Sequence, residues 1–261
     1  MFYIDLPRFS VSGNTLSVKN YIIKILNLIL LFFIFLLIIM LIIGHRGAYG
    51  YFTGNTLHSI KLAIANNIKA IEIDIRLSKD NELILYHDEK IIYNNKNIFV
   101  SNIFFKDLKK IGVNSLREFL DYYILIDINI LIFFEIKKSI SYNNEIIEKL
   151  VNIFNTYIKK GLKLDNFYIQ SFHAQYIKDI INYIPFKNYG LIYYGLPLTE
   201  NSDINNLKCS FVSISIDSYC KEFVKNMNKK NIKVFVYTIN DLNYIKLLEQ
   251  DNISGYFTDY C

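Results

Sequence analysis

From residue 40 to the C-terminus, short apolar runs alternate with longer segments whose apolar residues recur at helical spacing. Runs of this length, rich in Ile, Phe and Val, predict buried strands. The predicted strands cover residues 40–44, 69–75, 82–86, 130–136, 166–170, 189–194, 211–216 and 232–238. The predicted helices cover residues 55–67, 115–123, 142–160, 174–182, 219–230 and 241–250. This alternation of strands with helices indicates a parallel sheet covered by helices.

Eight strands fit a closed (β/α)8 TIM barrel, which needs about 250 residues; the chain has 261. Residues 76–81, between the second and third predicted strands, are too few for a crossover helix. We therefore expect an irregular barrel there, with a tight turn at Lys79-Asp80-Asn81. A ninth short extended piece is predicted at residues 255–258. No repeat or Pro/Gly-rich linker divides the region, so residues 40–261 are predicted to form one barrel domain.

The N-terminal part of the chain contains a long apolar run. Every residue from Ile25 to Ile43 except Asn27 is apolar, and a run of this length approaches that of a bilayer-spanning helix. A buried core helix is the alternative, but no polar face interrupts the run. We expect a cytoplasmic segment at residues 1–19 and a transmembrane helix at residues 20–39.

The charges before this run predict its orientation. Three basic residues and one acidic residue precede the apolar run: Arg8, Lys19, Lys24 and Asp5. By the positive-inside rule, such a balance keeps the N-terminus in the cytoplasm. The sequence therefore predicts a single-pass membrane protein whose barrel domain is extracytoplasmic.

Composition narrows the classes of function. The chain is 52% hydrophobic and 20% charged, which favours a large folded core over disorder. Its net charge of +5 is mild and its lysines form no basic run, so we expect no nucleic-acid partner.

Cys209 and Cys220 flank a predicted strand of about 20 Å, which is too long for a disulfide to bridge. We expect these two residues and Cys261 to be free thiols.

Polar residues at the ends of apolar strands are the candidates for chemistry. Burying them costs free energy unless they are paired or coordinated, and barrel active sites lie at the C-terminal strand ends. His45 and Arg46 follow the first strand, while Glu72 and Asp74 alternate within the second and so share a face. The later strand ends carry His87, Asp88, Glu135, Lys137, Gln170, Ser171, Tyr237, Thr238 and Asn240.

Three carboxylates, those of Glu72, Asp74 and Glu135, are expected to converge at the barrel mouth. Three negative charges so close together cannot all stay ionised unless a cation neutralises them. Ligands that are all oxygen favour one hard divalent cation, Ca²⁺ or Mg²⁺.

Two histidines and two basic residues are expected at the same end of the barrel. His45 and His87 can exchange protons near neutral pH. Arg46 and Lys137 supply positive charge that can hold a phosphate group. A cation, an acid–base pair and a phosphate clamp together indicate phosphoester cleavage.

An ordered series of motifs from about residue 40 to the C-terminus resembles the glycerophosphodiester phosphodiesterase family, of the phospholipase-C-like phosphodiesterase superfamily. The series is His45-Arg46-Gly47, Asn55-Thr56, Glu72-x-Asp74, Lys79-Asp80, His87-Asp88, Glu135-Ile136-Lys137, Gln170-Ser171-Phe172, the strand and turn ending at Asn240, and Thr258-Asp259. The resemblance implies a barrel enzyme that hydrolyses glycerophosphodiesters to sn-glycerol 3-phosphate and an alcohol with a divalent cation. The resemblance also implies the roles of particular residues. Glu72, Asp74 and Glu135 would be the metal ligands, and His45 and His87 would be the acid–base pair. Arg46 and Lys137 would contact the phosphate.

The chain departs from this family pattern in its first βα loop. The family usually has Pro-Glu before the Asn-Thr pair, whereas this chain has Thr53-Gly54, so the loop lacks a carboxylate that would affect substrate positioning. The short stretch between His87 and Glu135 resembles that of the compact members, which have no large cap inserted over the site. An open mouth makes lysophospholipids alternative substrates.

Two alternative functions remain open. The first is a lysophospholipase D or a phospholipase-C-like enzyme on the same scaffold, which product analysis would distinguish. The second is a non-catalytic membrane protein that binds lipid head groups, although the full set of charged candidate residues argues against it.

Overall fold

The computed structural model describes residues 40–138, 145–197 and 203–261, together with Ile23. The predicted cytoplasmic segment and transmembrane helix therefore lie outside the described residues, apart from Ile23. Within the described ranges, no helix is both long enough and apolar enough to cross a membrane. Residues 40–261 form one compact unit.

Eight parallel strands close into a barrel, as the alternation of strands and helices predicts. In chain order the strands of the described residues are β1 (Leu41–Gly44), β2 (Ala70–Leu77), β3 (Leu83–Leu85), β4 (Lys90–Tyr93), β5 (Lys96–Phe99), β6 (Leu131–Ile136), β7 (Phe167–Ser171), β8 (Asn188–Tyr193), β9 (Phe211–Ser215), β10 (Lys233–Tyr237) and β11 (Gly255–Thr258). The barrel order is β1-β2-β6-β7-β8-β9-β10-β11, and β11 pairs with β1 to close it.

Helices cover the outside of the barrel, and each of the six predicted helices is present. Two further short helices of the described residues, at Phe105–Lys110 and Asp203–Asn206, have no counterpart among the predicted ones. The helices are α1 (Leu57–Ala65), α2 (Phe105–Lys110), α3 (Leu116–Ile126), α4 (Glu145–Lys159), α5 (Ala174–Ile181), α6 (Asp203–Asn206), α7 (Lys221–Lys229) and α8 (Leu242–Glu249). A capping box starts α3, where the Ser115 hydroxyl accepts from the backbone N–H of Glu118 and the Glu118 carboxylate accepts from that of Ser115.

The prediction that residues 82–86 form the third barrel strand is wrong. β3 pairs antiparallel with β2 and lies outside the closed barrel. The chain reverses at the predicted turn, where the backbone N–H of Asn81 donates to the carbonyl of Ser78 at 3.1 Å. A connection this short can join antiparallel strands but cannot cross over to a parallel one. The eighth barrel strand is instead β11, which the sequence predicts only as a ninth extended piece.

Aromatic rings fill the barrel interior below the strand ends that carry the candidate residues. Phe133 stacks on Tyr168 with ring centroids 4.4 Å apart. Three more rings pack edge-on against Phe133, those of Phe211, Phe235 and Phe257. Alternate strand residues share a face, so Glu135 points into the same interior one layer above Phe133. The aromatic layer gives the site an apolar floor.

Candidate active site

The three predicted metal ligands meet at the mouth of the barrel. β2 pairs with β6 in a register that sets Asp74 opposite Glu135, with Glu72 two residues earlier on the same face of β2. One carboxylate oxygen from each of the three lies within 4.8 Å of the other two, and all three residues are buried. The adjacent strands therefore bring together the carboxylates that the sequence predicts to converge.

Asn55, just before α1, fixes the position of Asp74. Its side-chain Nδ2 donates to Oδ2 of Asp74 at 2.7 Å, and its Oδ1 accepts from the backbone N–H of Asp74 at 2.9 Å. Its φ of 59° lies in the left-handed region, which Asn tolerates better than most residues. Thr56 then starts α1 as its N-cap, with its hydroxyl accepting from the backbone N–H of Ser59. The Asn-Thr pair thus links the helix start to the acidic cluster.

Burial and mutual repulsion disfavour the ionised forms of two of these carboxyls. Burial raises the pKa of Glu72 well above its usual range, and the charges of Asp74 and Glu135 raise it further. Burial and the charge of Asp74 raise the pKa of Glu135 to about 7, although Lys137 acts in the opposite direction. The cluster therefore holds protons near neutral pH unless a further positive charge enters it.

Asp74 is the ionised member of the cluster. Burial alone would raise its pKa, but the charges of Lys137, His87 and Arg46 outweigh burial and lower it to about 2. Lys137 Nζ lies 3.0 Å from Oδ1 of Asp74 and 2.5 Å from Oε1 of Glu135. Arg46 Nε lies 3.3 Å from Oδ2 of Asp74. Both predicted phosphate contacts therefore lie directly beside the predicted metal ligands.

The acidic cluster fits a hard divalent cation. Within the described part of the chain, Oε1 of Glu72 is buried with neither a hydrogen-bond nor an ion-pair partner. Its other oxygen accepts from the backbone N–H of Arg46 at 3.0 Å. Leaving a buried carboxylate oxygen unpaired is costly, and a cation bound by the three carboxylates would satisfy it. Ligands that are all oxygen favour Ca²⁺ or Mg²⁺ over zinc.

His45 is held by a residue from the far end of the chain. Its Nδ1 lies 2.6 Å from Oδ1 of Asp259, just after β11, and both side chains are largely buried. Asn240 Nδ2 donates to the other oxygen of Asp259 at 2.7 Å. Burial alone would raise the pKa of Asp259, but these two partners lower it. A carboxylate on Nδ1 fixes the ring orientation and leaves Nε2 for proton exchange.

His87 is held by its neighbour in sequence. Its Nδ1 lies 2.6 Å from Oδ1 of Asp88. Burial is the largest effect on His87 and lowers its pKa. The two histidines therefore share one arrangement, a carboxylate on Nδ1, although His87 is more exposed than His45.

A cavity of about 180 Å³ connects these groups. Six of the seven predicted site residues line it, and the seventh, Asp74, lies beneath them in the acidic cluster. Three apolar side chains, those of Phe172, Ile192 and Phe257, form its apolar wall, and Phe257 also belongs to the aromatic floor. The lining residues are His45, Arg46, Glu72, His87, Glu135, Lys137, Gln170, Phe172, Ile192, Ser213, Tyr237, Thr238 and Phe257.

Residues 45–261 match the model of the glycerophosphoryl diester phosphodiesterase family, which covers most of the chain. The chain belongs to this family. A glycerophosphodiester phosphodiesterase of Caldanaerobacter subterraneus is 25% identical over 240 residues, which are 84% of this chain and 93% of that protein.

Solved structures of the family share the barrel. A phosphodiesterase from Oleispira antarctica, solved with the product sn-glycerol-3-phosphate, superimposes with a TM-score of 0.75 at 21% identity, covering 84% of this chain and 92% of that one. A glycerophosphodiester phosphodiesterase from Thermotoga maritima gives a TM-score of 0.65 at 22% identity, covering 85% and 95%. At these identities the likeness shows the fold alone.

Several residues of the site have contacts that were not predicted for them. The series of motifs contains Asp259 and Asn240, but the contact of Asp259 with His45 requires β1 and β11 to be neighbours, and Asn240 contacts Asp259 rather than the histidine. The apolar wall adds Phe172, Ile192 and Phe257. The other two histidines of the chain, His58 and His173, do not line the cavity.

Proposed function

We propose that this protein hydrolyses glycerophosphodiesters to sn-glycerol 3-phosphate and an alcohol, as a phosphoric diester hydrolase dependent on a divalent cation. The observation that carries this proposal is the buried cluster of three carboxylates in one cavity with two histidine–aspartate pairs. Membership of the glycerophosphoryl diester phosphodiesterase family supports it. The complex of the Oleispira relative with sn-glycerol-3-phosphate supports the identity of the product.

Glu72, Asp74 and Glu135 would hold the cation, Ca²⁺ or Mg²⁺. When bound, such a cation polarises a phosphoryl oxygen and stabilises the negative charge that develops there. The protein contributes a preformed set of oxygen ligands, because Asn55 and the backbone of Arg46 already fix two of the carboxylates.

His45 and His87 act as the acid–base pair. One removes a proton from the attacking hydroxyl, which belongs to water or to the substrate's own glycerol, and the other protonates the leaving alcohol oxygen. If the glycerol hydroxyl attacks, the cyclic phosphate that forms is opened by water, and the net reaction is the same hydrolysis. Asp259 and Asp88 hold the two rings at Nδ1, so each ring presents Nε2 for the transfer.

Arg46 and Lys137 hold the phosphate. Their side chains already flank the carboxylates, and both line the cavity. The Nη groups of Arg46 have no protein acceptor among the described residues, which leaves them able to donate to phosphate oxygens.

The direct test is the release of sn-glycerol 3-phosphate from a panel of diesters, with and without a chelator. Glycerophosphocholine and glycerophosphoethanolamine should both release it.

The wall formed by Phe172, Ile192 and Phe257 favours a second candidate, lysophospholipase D activity, so lysophosphatidylcholine belongs in the panel. Product analysis separates the outcomes, because a lysophospholipase D releases an acylated glycerol phosphate from that lipid and a phospholipase C releases phosphocholine. No cleavage of any diester, with intact folding, would favour the non-catalytic alternative.

We further propose that residues 20–39 anchor the barrel domain to a membrane with the domain on the extracytoplasmic side. The sequence alone supports this proposal, through the apolar run that begins at Ile25 and the basic residues before it. Cell fractionation should recover the full-length chain in membranes and release it only with detergent. A Tyr51→Cys variant, in the first βα loop, should be labelled by an impermeant thiol reagent on intact cells when the exposed native thiol is removed by Cys220→Ser, and the Cys220→Ser chain alone gives the background. Labelling only after permeabilisation would reverse the orientation.

A further inference from the structure

Arg46, the proposed phosphate contact, has an anchored backbone and a lightly held side chain. Its carbonyl accepts from the backbone N–H of Asn55 at 3.0 Å and from the hydroxyl of Ser59 at 3.0 Å. Its side chain contacts Asp74 through Nε alone, at 3.3 Å. A long side chain with a single polar contact loses considerable rotamer freedom when it is fixed in one place. A second contact is therefore needed to keep the guanidinium in position.

The ring of Tyr49 provides that contact. The guanidinium carbon of Arg46 lies 5.1 Å from the centroid of this ring, within the range of a cation–π interaction. The ring also packs edge-on against His45, with centroids 6.2 Å apart. Tyr49 is 46% exposed and does not line the cavity. It therefore lies beside Arg46 and His45 without forming part of the cavity lining.

Gly54 provides the space that this ring occupies. A Cβ atom at residue 54 would lie 2.9 Å from Cδ2 of Tyr49 and 2.8 Å from Cβ of Arg46, closer than ordinary contacts allow. A side chain at residue 54 and the observed packing of Tyr49 on Arg46 therefore exclude each other. Glycine at residue 54 therefore lets the Tyr49 ring pack on the Arg46 guanidinium. A larger residue at position 54 would push the ring away from it.

We propose that Tyr49 is a positioning residue, which holds the Arg46 guanidinium ready to bind the substrate phosphate. This inference rests on the proposed function for the identity of the substrate and for the phosphate-binding role of Arg46. A neutral ring suits this task, because it restrains the cation without competing with phosphate for the Nη groups. Tyr49→Ala should weaken phosphate binding, whereas Tyr49→Phe keeps the ring and should behave like the wild type.

The test measures the affinity for sn-glycerol 3-phosphate by calorimetry with Mg²⁺ present, and KM and kcat for glycerophosphocholine. Tyr49→Ala should weaken binding and raise KM by about 3- to 30-fold, the scale of a partly desolvated cation–π contact, with a smaller change in kcat. Tyr51→Ala is the matched control, because Tyr51 lies in the same loop and packs on Tyr260 instead. Tyr51→Ala and Tyr49→Phe should both stay within about twofold of the wild type.

A double-mutant cycle with Arg46→Ala isolates the mechanism. If Tyr49 acts through the guanidinium, Tyr49→Ala should change affinity by less than about twofold in the Arg46→Ala background. An equal loss in both backgrounds would overturn the proposal, and so would wild-type affinity in Tyr49→Ala or a loss in Tyr49→Phe as large as in Tyr49→Ala. Wild-type turnover is measured separately, so absence of hydrolysis would count against the proposed function while the binding data still decide the role of Tyr49.

Discussion

Replacing Glu135 by Gln should stabilise the cation-free protein at alkaline pH while abolishing its activity. In the folded protein, burial and the charge of Asp74 raise the pKa of Glu135 from 4.5 to about 7. Between these two pH values the unfolded chain has released a proton that the folded chain retains. The free energy of unfolding must therefore fall as pH rises through this window.

The difference in pKa sets the scale of the effect. At about 1.4 kcal/mol per pH unit, it corresponds to about 3 kcal/mol of lost stability above pH 7. Gln resembles the protonated carboxyl and avoids this cost, but it gives up the ion pair with Lys137. Lys137 keeps Asp74 as a partner, so a net gain of about 1–3 kcal/mol is expected at pH 8 and almost none at pH 4.5.

The assay is urea unfolding of the full-length chain, followed by circular dichroism, with a chelator at both pH values. Glu222→Gln, on the exposed surface of α7, is the matched control and should give no pH-dependent gain. Added Mg²⁺ should stabilise the wild type at pH 8, because a cation that binds only the folded state adds stability. It should not stabilise Glu135→Gln, which lacks one of the three proposed carboxylate ligands. Equal or lower stability of Glu135→Gln at pH 8 would refute the account of repulsion within the cluster.

Three further outcomes are expected. His45→Ala and His87→Ala should each lower kcat by roughly 10² or more, because each loses a proton transfer, with the melting temperature unchanged; near wild-type turnover would make that histidine structural. Asp259→Asn should lower kcat and change its pH profile, since it alters the partner of His45 Nδ1, and an unaltered profile would remove Asp259 from the mechanism. Affinity for Mg²⁺, measured by calorimetry, should rise with pH because Glu72 and Glu135 must release their protons to bind; a pH-independent affinity would show that other ligands hold the cation.

Much of the barrel could be predicted from sequence, because each strand and helix has its own local pattern. The direction in which a strand pairs has no such pattern. Residues 82–86 form a buried apolar strand whether they run parallel or antiparallel, so only the short connection shows that β3 belongs to a hairpin. β11 has four residues, and its position beside β1 depends on closure of the whole sheet.

The hairpin of β4 and β5 was missed, although the sequence contains a signal for it. Its turn is Asn94-Asn95, and both residues have left-handed φ angles of 50° and 58°, as two-residue hairpin turns require. The strands have four residues each, and Ile92 is 78% exposed. Such short strands with an exposed apolar residue lack the alternation that predicts a half-buried strand.

The acidic cluster could be predicted because its members sit two residues apart or on adjacent strands. Period-two alternation places Glu72 and Asp74 on one face, and Glu135 is expected at the same barrel mouth because it too ends a strand. Its register directly opposite Asp74 could not be predicted, because it depends on β3 lying outside the barrel. The contact between His45 and Asp259 joins residues 214 positions apart. Only the closed barrel brings these two together, so no local pattern could have assigned Asp259 to His45.

The central claim is that the carboxylate cluster binds the divalent cation on which hydrolysis depends, and one titration tests it most directly. Release of sn-glycerol 3-phosphate from glycerophosphocholine is followed in chelator-treated protein as Mg²⁺ or Ca²⁺ is added back, for the wild type and for Glu72→Gln. We predict that activity is lost in chelator and returns with cation in the wild type, and that Glu72→Gln stays inactive while folded. Full activity in excess chelator, or in Glu72→Gln, would contradict the claim.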